Sequence, residues 1–168
     1  MSLASAKDYL VYHGSPSKAE RPAFGSKENM VVVVCPGRPF FVTPSRSFAK
    51  HFARGGSLSS FRLNPSRLLD ATAPQNADKL LEVFNADSDS PDAPWDDNLW
   101  GDVEESVYLL LESRSVWDFL TANGFDAVRL IEQHHPRIES FAILNPAVLQ
   151  HLKTVELSVV ESDPSPGK

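Results

Sequence analysis

The apolar segments of this chain are short, and proline or glycine ends most of them. The longest apolar run, Met30–Cys35, has the length of one strand and stops at Pro36-Gly37. A helix that crosses a membrane requires roughly 20 apolar residues. We therefore expect a fold built from short elements, with no membrane-spanning segment.

Hydrophobic periodicity assigns these segments to strands and helices. The predicted strands are Tyr9–Tyr12 (ending in a turn at 13–16), Val31–Val34, Phe40–Val42, Leu58–Leu63, Phe125–Ile131, Ser140–Leu144 and Thr154–Val160. The predicted helices are one that begins after Ser45 and ends at Gly55-Gly56, then 77–85, 103–111, 116–122 and 146–152, with Ser45 and Ser115 as N-caps. The turn at 134–136 predicts a hairpin. Helices are not regularly interleaved with strands, which favours an α+β fold with antiparallel sheet over a doubly wound parallel sheet.

Composition and charge limit the class of protein to which this chain can belong. Of the 168 residues, 42% are hydrophobic, which is enough to fill the core of one domain. We predict that domain over residues 1–160 and a flexible polar tail over 161–168. The net charge of −6 gives no global electrostatic footprint for nucleic acid. A single cysteine, Cys35, excludes an intrachain disulfide and favours a reducing compartment. No secretory signal is visible, so we expect a cytoplasmic protein, or one delivered to a host cytosol by a route that needs no such signal.

Three motifs in a fixed order point to a family. The first is Tyr12-His13-Gly14-Ser15, the second is 40–45 followed by an alanine-containing helix at 48–53, and the third is 124–128 followed by 138–146 with Glu139 near its start. Together they resemble the histidine-type ADP-ribosyltransferases, the branch of diphtheria toxin and the poly-ADP-ribose polymerases. The resemblance implies two packed, mostly antiparallel sheets with flanking short helices. It also implies NAD⁺ as substrate and a bacterial or phage toxin or effector.

The resemblance also implies a role for each motif residue. Cleavage between nicotinamide and ribose produces an oxocarbenium-like cation, which a carboxylate stabilises. Glu139 is the predicted catalytic carboxylate, with Glu132 on the preceding strand as the next candidate. The predicted NAD⁺-binding residues are His13 on a ribose, Gly14 with its backbone near the nicotinamide, either Phe40 or Phe41 stacked on the ring, and Ser15, Thr43 and Ser45.

Structural readings compete with these assignments. A histidine after a strand is usually a surface turn residue, phenylalanines are most often core, and a serine before a helix is usually a cap. A glutamate that opens a strand is normally a solvated charge. We predict no metal site, because His134-His135 lacks a second pair of ligands with matching spacing.

The pattern departs from the family at two places. The histidine-type branch usually covers the nicotinamide with tyrosine, and here the matching strand offers phenylalanine. The arginine-modifying branch has an acid two residues before its glutamate, where this chain has Arg137. We therefore expect a mono-ADP-ribosyltransferase that acts on a macromolecular acceptor other than arginine, with protein favoured over nucleic acid. An NAD⁺ glycohydrolase and a non-catalytic NAD⁺-binding or interaction module of the same fold are the alternatives.

An acidic stretch at 86–102 interrupts the pattern of short elements. It contains six aspartates and the two tryptophans Trp95 and Trp100. Long connections in compact domains are usually functional or disordered. The stretch is hypothesised to fold over the site or to contact the acceptor. Packing of both tryptophans onto the core is the alternative.

Overall fold

The computed structural model of the chain describes residues 8–16, 24–25, 29–30, 34–87 and 94–157. The strands are β1 (Tyr9–Ser15), β2 (Phe24–Gly25), β3 (Asn29–Met30), β4 (Phe40–Val42), β5 (Ser57–Leu63), β6 (Leu68–Asp70), β7 (Ala127–His134), β8 (Arg137–Ile143) and β9 (Leu149–Glu156). The helices are α1 (Arg46–Ala53), α2 (Pro74–Asn85), α3 (Asp97–Trp100), α4 (Val107–Leu111) and α5 (Arg114–Ala122), with 3-10 turns at Val103–Glu105 and Pro146–Val148. Within these ranges, no helix has the length and apolar character needed to cross a bilayer.

Two sheets organise the fold. One has the strand order β1-β5-β9 and is antiparallel throughout. The other has the order β4-β8-β7-β6 and is antiparallel except for the β6–β7 pair. Paired backbone hydrogen bonds between Tyr12 and Thr43, of 2.8 and 2.9 Å, join β1 to the end of β4. The predicted α+β class, with two mostly antiparallel sheets and short flanking helices, is confirmed.

The four-stranded sheet is buried on both faces, which fixes where each of its side chains points. Its inner face packs against the three-stranded sheet through a cluster that includes Val11, Phe61, Phe141 and Ile143. Its other face packs against α2, α4 and α5 through a second cluster, which includes Leu80, Leu110, Leu120, Val128 and Ala142. Successive strand residues point to opposite faces, so consecutive residues of β8, such as Phe141 and Ala142, belong to different layers.

Several local predictions are confirmed because short-range signals decide them. Phe40–Val42 forms β4, and Ser45 caps α1 by accepting a hydrogen bond from the Phe48 backbone N–H at 3.3 Å. The helix ends with Arg54 in a left-handed conformation, followed by Gly55 at φ 81°. The hairpin around 134–136 is present as β7 and β8.

Other predictions about element boundaries were wrong. The strand from Tyr9 does not turn at His13 but continues to Ser15, since His13 and Gly14 pair with Ser59 and Leu58 of β5. The cap of α5 is Ser113 rather than Ser115. The helix predicted over 146–152 is only a 3-10 turn, and β9 begins at Leu149, because pairing with β5 outweighs the helical start signal of Pro146.

Some predictions concern residues that lie partly or wholly outside the described ranges. Of the predicted strand Val31–Val34, only Val34 is described, and the proposed tail at 161–168 is not described. Within the acidic stretch, Trp95 packs against the helix-side core, with its ring 5.9 Å from that of Phe84. Its indole N–H donates to the Gly101 carbonyl at 3.3 Å. The alternative interpretation, packing onto the core, therefore holds for Trp95, while the side chain of Trp100 lies outside the described part.

Candidate functional site

A cleft of about 520 Å³ opens on the helix side of the four-stranded sheet. This volume lies within the range of small-molecule sites in proteins. The lining residues come from β1, α1, the end of β4, α4 and the β7–β8 hairpin: Tyr12, His13, Gly14, Phe41, Val42, Thr43, Phe48, Ala49, Phe52, Tyr108, Glu132 and Ser140. All three sequence motifs thus contribute to one cavity.

Gly14 allows the α1 wall of the cleft to lie directly against β1. A Cβ atom at this position would come within 1.9 Å of the Ala49 carbonyl oxygen and 2.8 Å of the Ala53 nitrogen. Ala49 and Ala53 are buried, so small residues on the helix match the bare strand. Tyr12 directs its N–H and C=O toward β4, and groups two residues apart on a strand point the same way. The N–H and C=O of Gly14 therefore face the cleft side of β1.

His13 is held in one orientation and one tautomer. Its Nδ1 lies 2.8 Å from the Phe41 carbonyl oxygen, and its ring lies 4.2 Å from that of Phe40. Because a carbonyl only accepts, Nδ1 carries the proton. Burial lowers the pKa of His13, while the hydrogen bond to Phe41 opposes that shift. In the neutral ring, Nε2 is therefore a hydrogen-bond acceptor.

The two adjacent phenylalanines of β4 have different surroundings, as strand alternation requires. Phe41 lines the cleft. Phe40 packs toward the inner core, where it contacts the ring of His13 on one side and meets Phe61 edge-on at 5.8 Å. Phe41 is thus the ring positioned to cover a ligand, and Phe40 positions His13.

Glu132 is the one carboxyl group that lines the described cleft. A β-bulge between Ile131 and Gln133 interrupts the pairing of β7 with β8 at this point. Burial raises the pKa of Glu132, although a hydrogen bond with Ser140 counteracts part of the effect. Ser140 is itself almost completely buried. Perturbed carboxyl groups of this kind are concentrated at functional sites.

Glu139 lies on the opposite face of the hairpin from Glu132. Its carboxylate accepts from Arg129 Nε at 2.9 Å and Nη2 at 2.5 Å, and from Arg137 Nε at 3.0 Å. Arg129 also lies 3.5 Å from Asp70 of β6. The Glu139 charge is thus already balanced by two guanidinium groups, and the side chain is not among those that line the cleft. Its catalytic role stays a prediction, and the geometry favours Glu132.

The remaining predicted site residues divide between cleft and scaffold. Thr43 lines the cleft, but its hydroxyl donates to the Glu139 carbonyl at 2.8 Å and accepts from the Ser45 N–H at 3.1 Å. Ser45 caps α1, and Ser15 is buried; neither is among the lining residues. Their observed contacts organise the walls of the cavity.

Seven lining residues were not predicted as site residues from the sequence, and Phe48, Phe52 and Tyr108 are the three among them that lie outside the strands and carry an aromatic ring. Phe48 and Phe52 have the helical spacing of core residues, yet Phe52 is 50% exposed at the cleft. Tyr108 of α4 reaches the cavity from the opposite side and belongs to no motif. The sequence carries no signal that Phe52 is exposed, because its spacing fits a core residue. Its exposure becomes visible only once α1 is packed against β1. Tyr108 thus adds a tyrosine to a lining in which β4 supplies only phenylalanine as an aromatic residue.

Comparison with known proteins finds distant structural likeness and no match in sequence. No protein-family model and no curated protein matches the chain. The fold is similar to the crystal structure of an anti-CRISPR protein at 13% identity, with a TM-score of 0.43, over 90% of this chain and 100% of that one. It is also similar to a chain of the M. tuberculosis MbcT-MbcA toxin-antitoxin complex at 14% identity, with a TM-score of 0.45, over 92% of this chain and 86% of that one.

Proposed function

We propose that the protein is a mono-ADP-ribosyltransferase that cleaves NAD⁺ in this cleft and transfers ADP-ribose to a macromolecular acceptor, a protein rather than a nucleic acid. One observation carries the proposal. His13, Gly14, Phe41 and Thr43, which come from two separate sequence motifs, share one cleft with the carboxyl group of Glu132. A nicotinamide-ribose unit needs a ring cover, hydrogen bonds for its polar groups and a carboxylate near the breaking bond.

The proposed binding mode uses groups that the scaffold already holds in place. The Phe41 ring covers the nicotinamide by stacking. The backbone N–H and C=O of Gly14, directed into the cleft, match the C=O and NH₂ of a carboxamide in a reciprocal pair. Neutral His13 accepts a hydrogen bond from a ribose hydroxyl through Nε2. Histidine is thus a binding residue, and it takes no proton from the acceptor.

The proposed chemistry assigns the electrostatic role to Glu132. As the bond between the ribose C1′ and the nicotinamide nitrogen breaks, nicotinamide leaves with the electron pair and positive charge develops on the ribose. The ionised Glu132 carboxylate opposes this charge, and a nucleophile of the acceptor then bonds to C1′ and releases its proton to solvent. Such a stabiliser contributes about 10²–10³ in rate. Since burial raises the pKa of Glu132, the rate should increase with pH until this group is ionised.

Incubation with NAD⁺ labelled on its adenylate, with and without cell lysate, tests the proposal. We expect label on macromolecules. Glu132→Gln should abolish this labelling, whereas Glu82→Gln, the same change at an exposed position on α2, should leave it intact. Release of free ADP-ribose without macromolecular label would mean a glycohydrolase. Binding of NAD⁺ without turnover would mean a non-catalytic module, and absence of binding would exclude the proposed substrate.

A further inference from the structure

A second surface lies on the side of α1 that faces away from the cleft. Residues 29–69 contain six arginines or lysines and no aspartate or glutamate, in a chain with a net charge of −6. Arg46 and Lys50 lie four residues apart on α1, which at about 100° per residue places them in one row along the helix. Arg54 follows directly after this row as the C-cap of the helix.

The same geometry separates that row from the cleft. Ala49 and Ala53 face β1, while Phe48 and Phe52 face the cleft on one side of this contact. The row of cations occupies the other flank of the helix, above the outer face of the β1-β5-β9 sheet. Strand alternation directs Arg62 of β5 to this outer face, because its neighbours Phe61 and Leu63 are fully buried in the core.

The outer face of this sheet combines cations with exposed apolar side chains. Leu10 pairs across β1 and β5 with Arg62 and is 54% exposed. Leu152, at the bulge of β9 beside exposed Lys153, is 45% exposed. Leu10 and Leu152 thus lie on the two strands that flank β5, with Arg62 between those strands. Large apolar residues exposed on a sheet face among polar groups are typical of interaction surfaces.

Few carboxylates lie beside these charges within the described elements. Neither α1, β1 nor β5 contains an acidic residue, and exposed Asp8 directly precedes β1 at one end of the surface. Glu156, the single acid of β9, pairs with buried Ser57 on the inner side. The five cations of this surface form no ion pair with a described residue: Arg46, Lys50, Arg54, Arg62 and Lys153. We call this surface, made by these cations with Leu10 and Leu152, the basic face.

We propose that the basic face docks an acidic partner protein, through a segment whose leucine-like side chains cover Leu10 and Leu152 and whose carboxylates meet the surrounding cations. The apolar centre favours a protein over a nucleic acid, because phosphates gain nothing from exposed leucines. Five cations against one neighbouring acid, Asp8, favour a partner of opposite sign. Since α1 separates the basic face from the cleft, a docked partner leaves the cleft accessible, and the proposal stands whether or not the cleft cleaves NAD⁺.

Fluorescence anisotropy with three labelled probes tests this docking. The probes are an amphipathic peptide of glutamates and leucines, the same peptide with lysine in place of glutamate, and a single-stranded oligothymidine. We expect the acidic peptide to bind wild type, and Lys50→Glu and Arg62→Glu each to weaken it about tenfold or more, since a like charge then faces the peptide carboxylates. Leu10→Ser should weaken it a few-fold. The lysine peptide should not bind.

Arg114→Glu is the matched control, because it makes the same charge change on exposed α5, where Arg114 lies 3.6 Å from Asp118. It should leave peptide affinity within about twofold, since charges more than a Debye length apart are screened. Three results would overturn the proposal: no binding of the acidic peptide, equal losses with Arg114→Glu and Arg62→Glu, or no loss with Leu10→Ser. Tighter binding of the oligothymidine, with the same sensitivity to Lys50→Glu, would assign the face to nucleic acid instead. Melting temperatures of all variants show whether each is folded.

Discussion

The two faces of the β7–β8 hairpin each present one glutamate, in opposite surroundings. On the inner side, Glu139 is held by Arg129 and Arg137 at 2.5–3.0 Å. On the helix side, Glu132 faces an open cleft, with the hydroxyl of Ser140 as its neighbour. A partly buried carboxylate that is matched by guanidinium groups depends on them, because removal of one partner leaves a charge unpaired. One that is partly desolvated without a cation is stabilised poorly by the protein alone, which suits it to oppose a positive charge on a bound substrate.

The largest expected effect separates the two glutamates by activity. Glu132→Gln should lower turnover of NAD⁺ by about 10²–10³ with little loss of affinity, because it removes the charge that opposes the cation. Glu139→Gln should change turnover by no more than a few-fold once its lower stability is taken into account. Steady-state kinetics of both variants, at a temperature where both are folded, compares them. The reverse ranking would return the catalytic role to Glu139.

The second effect concerns stability on the inner face. Arg129→Met keeps the length of the side chain but leaves Glu139 and Asp70 without their shared cation. We expect a loss of roughly 1–3 kcal/mol, less than for a fully buried pair because these side chains retain some solvent contact. Arg137→Met is the control, since that side chain is 55% exposed and exposed pairs contribute at most about 1 kcal/mol. Urea unfolding measures both variants, and equal losses would contradict the structural role of Arg129.

A smaller effect is expected for binding on the cleft face. His13→Ala removes one neutral acceptor and should weaken NAD⁺ by about tenfold at most, which corresponds to one hydrogen bond. His151→Ala is the control, because His151 also packs against a phenylalanine, with its ring 5.4 Å from that of Phe61, but is not among the residues that line the cleft. Calorimetric titration decides the point. If His13→Ala bound NAD⁺ as tightly as wild type, His13 would have a packing role and no role in NAD⁺ binding.

The smallest effect is a pH dependence of stability. Burial raises the pKa of Glu132 above its ordinary value, so the folded protein binds this proton more tightly than the unfolded chain does. Stability attributable to Glu132 is therefore fully present below the ordinary glutamate pKa and is lost as pH increases through the folded-state pKa. Glu132→Gln removes that loss. Its melting temperature relative to wild type should be higher at pH 8 than at pH 4, and a constant difference across pH would show that Glu132 is freely solvated.

The sequence by itself determined the elements whose signals are local. The strand 40–42, the serine cap and the alanine face of α1 lie within 14 consecutive residues, and each depends on neighbours three or four positions away. The hairpin was also predictable, because two β-rich runs flank a turn that contains proline. Strand alternation further required that only one of Phe40 and Phe41 face a site, and that Glu139 and Ser140 lie on opposite faces.

Only the tertiary structure decided which of those faces is the cleft. Alternation gives two faces to every strand, but the layer packed against each depends on long-range pairing, such as β8 with β4 and β1 with β5. The bulge beside Glu132 and the position of Tyr108 on α4 likewise arise from contacts between distant segments. The helix that Pro146 was expected to begin does not extend beyond one turn, because β9 pairs with β5 from Leu149 onward. Ladder hydrogen bonds and side-chain packing along a whole strand outweigh the helical preference of one turn.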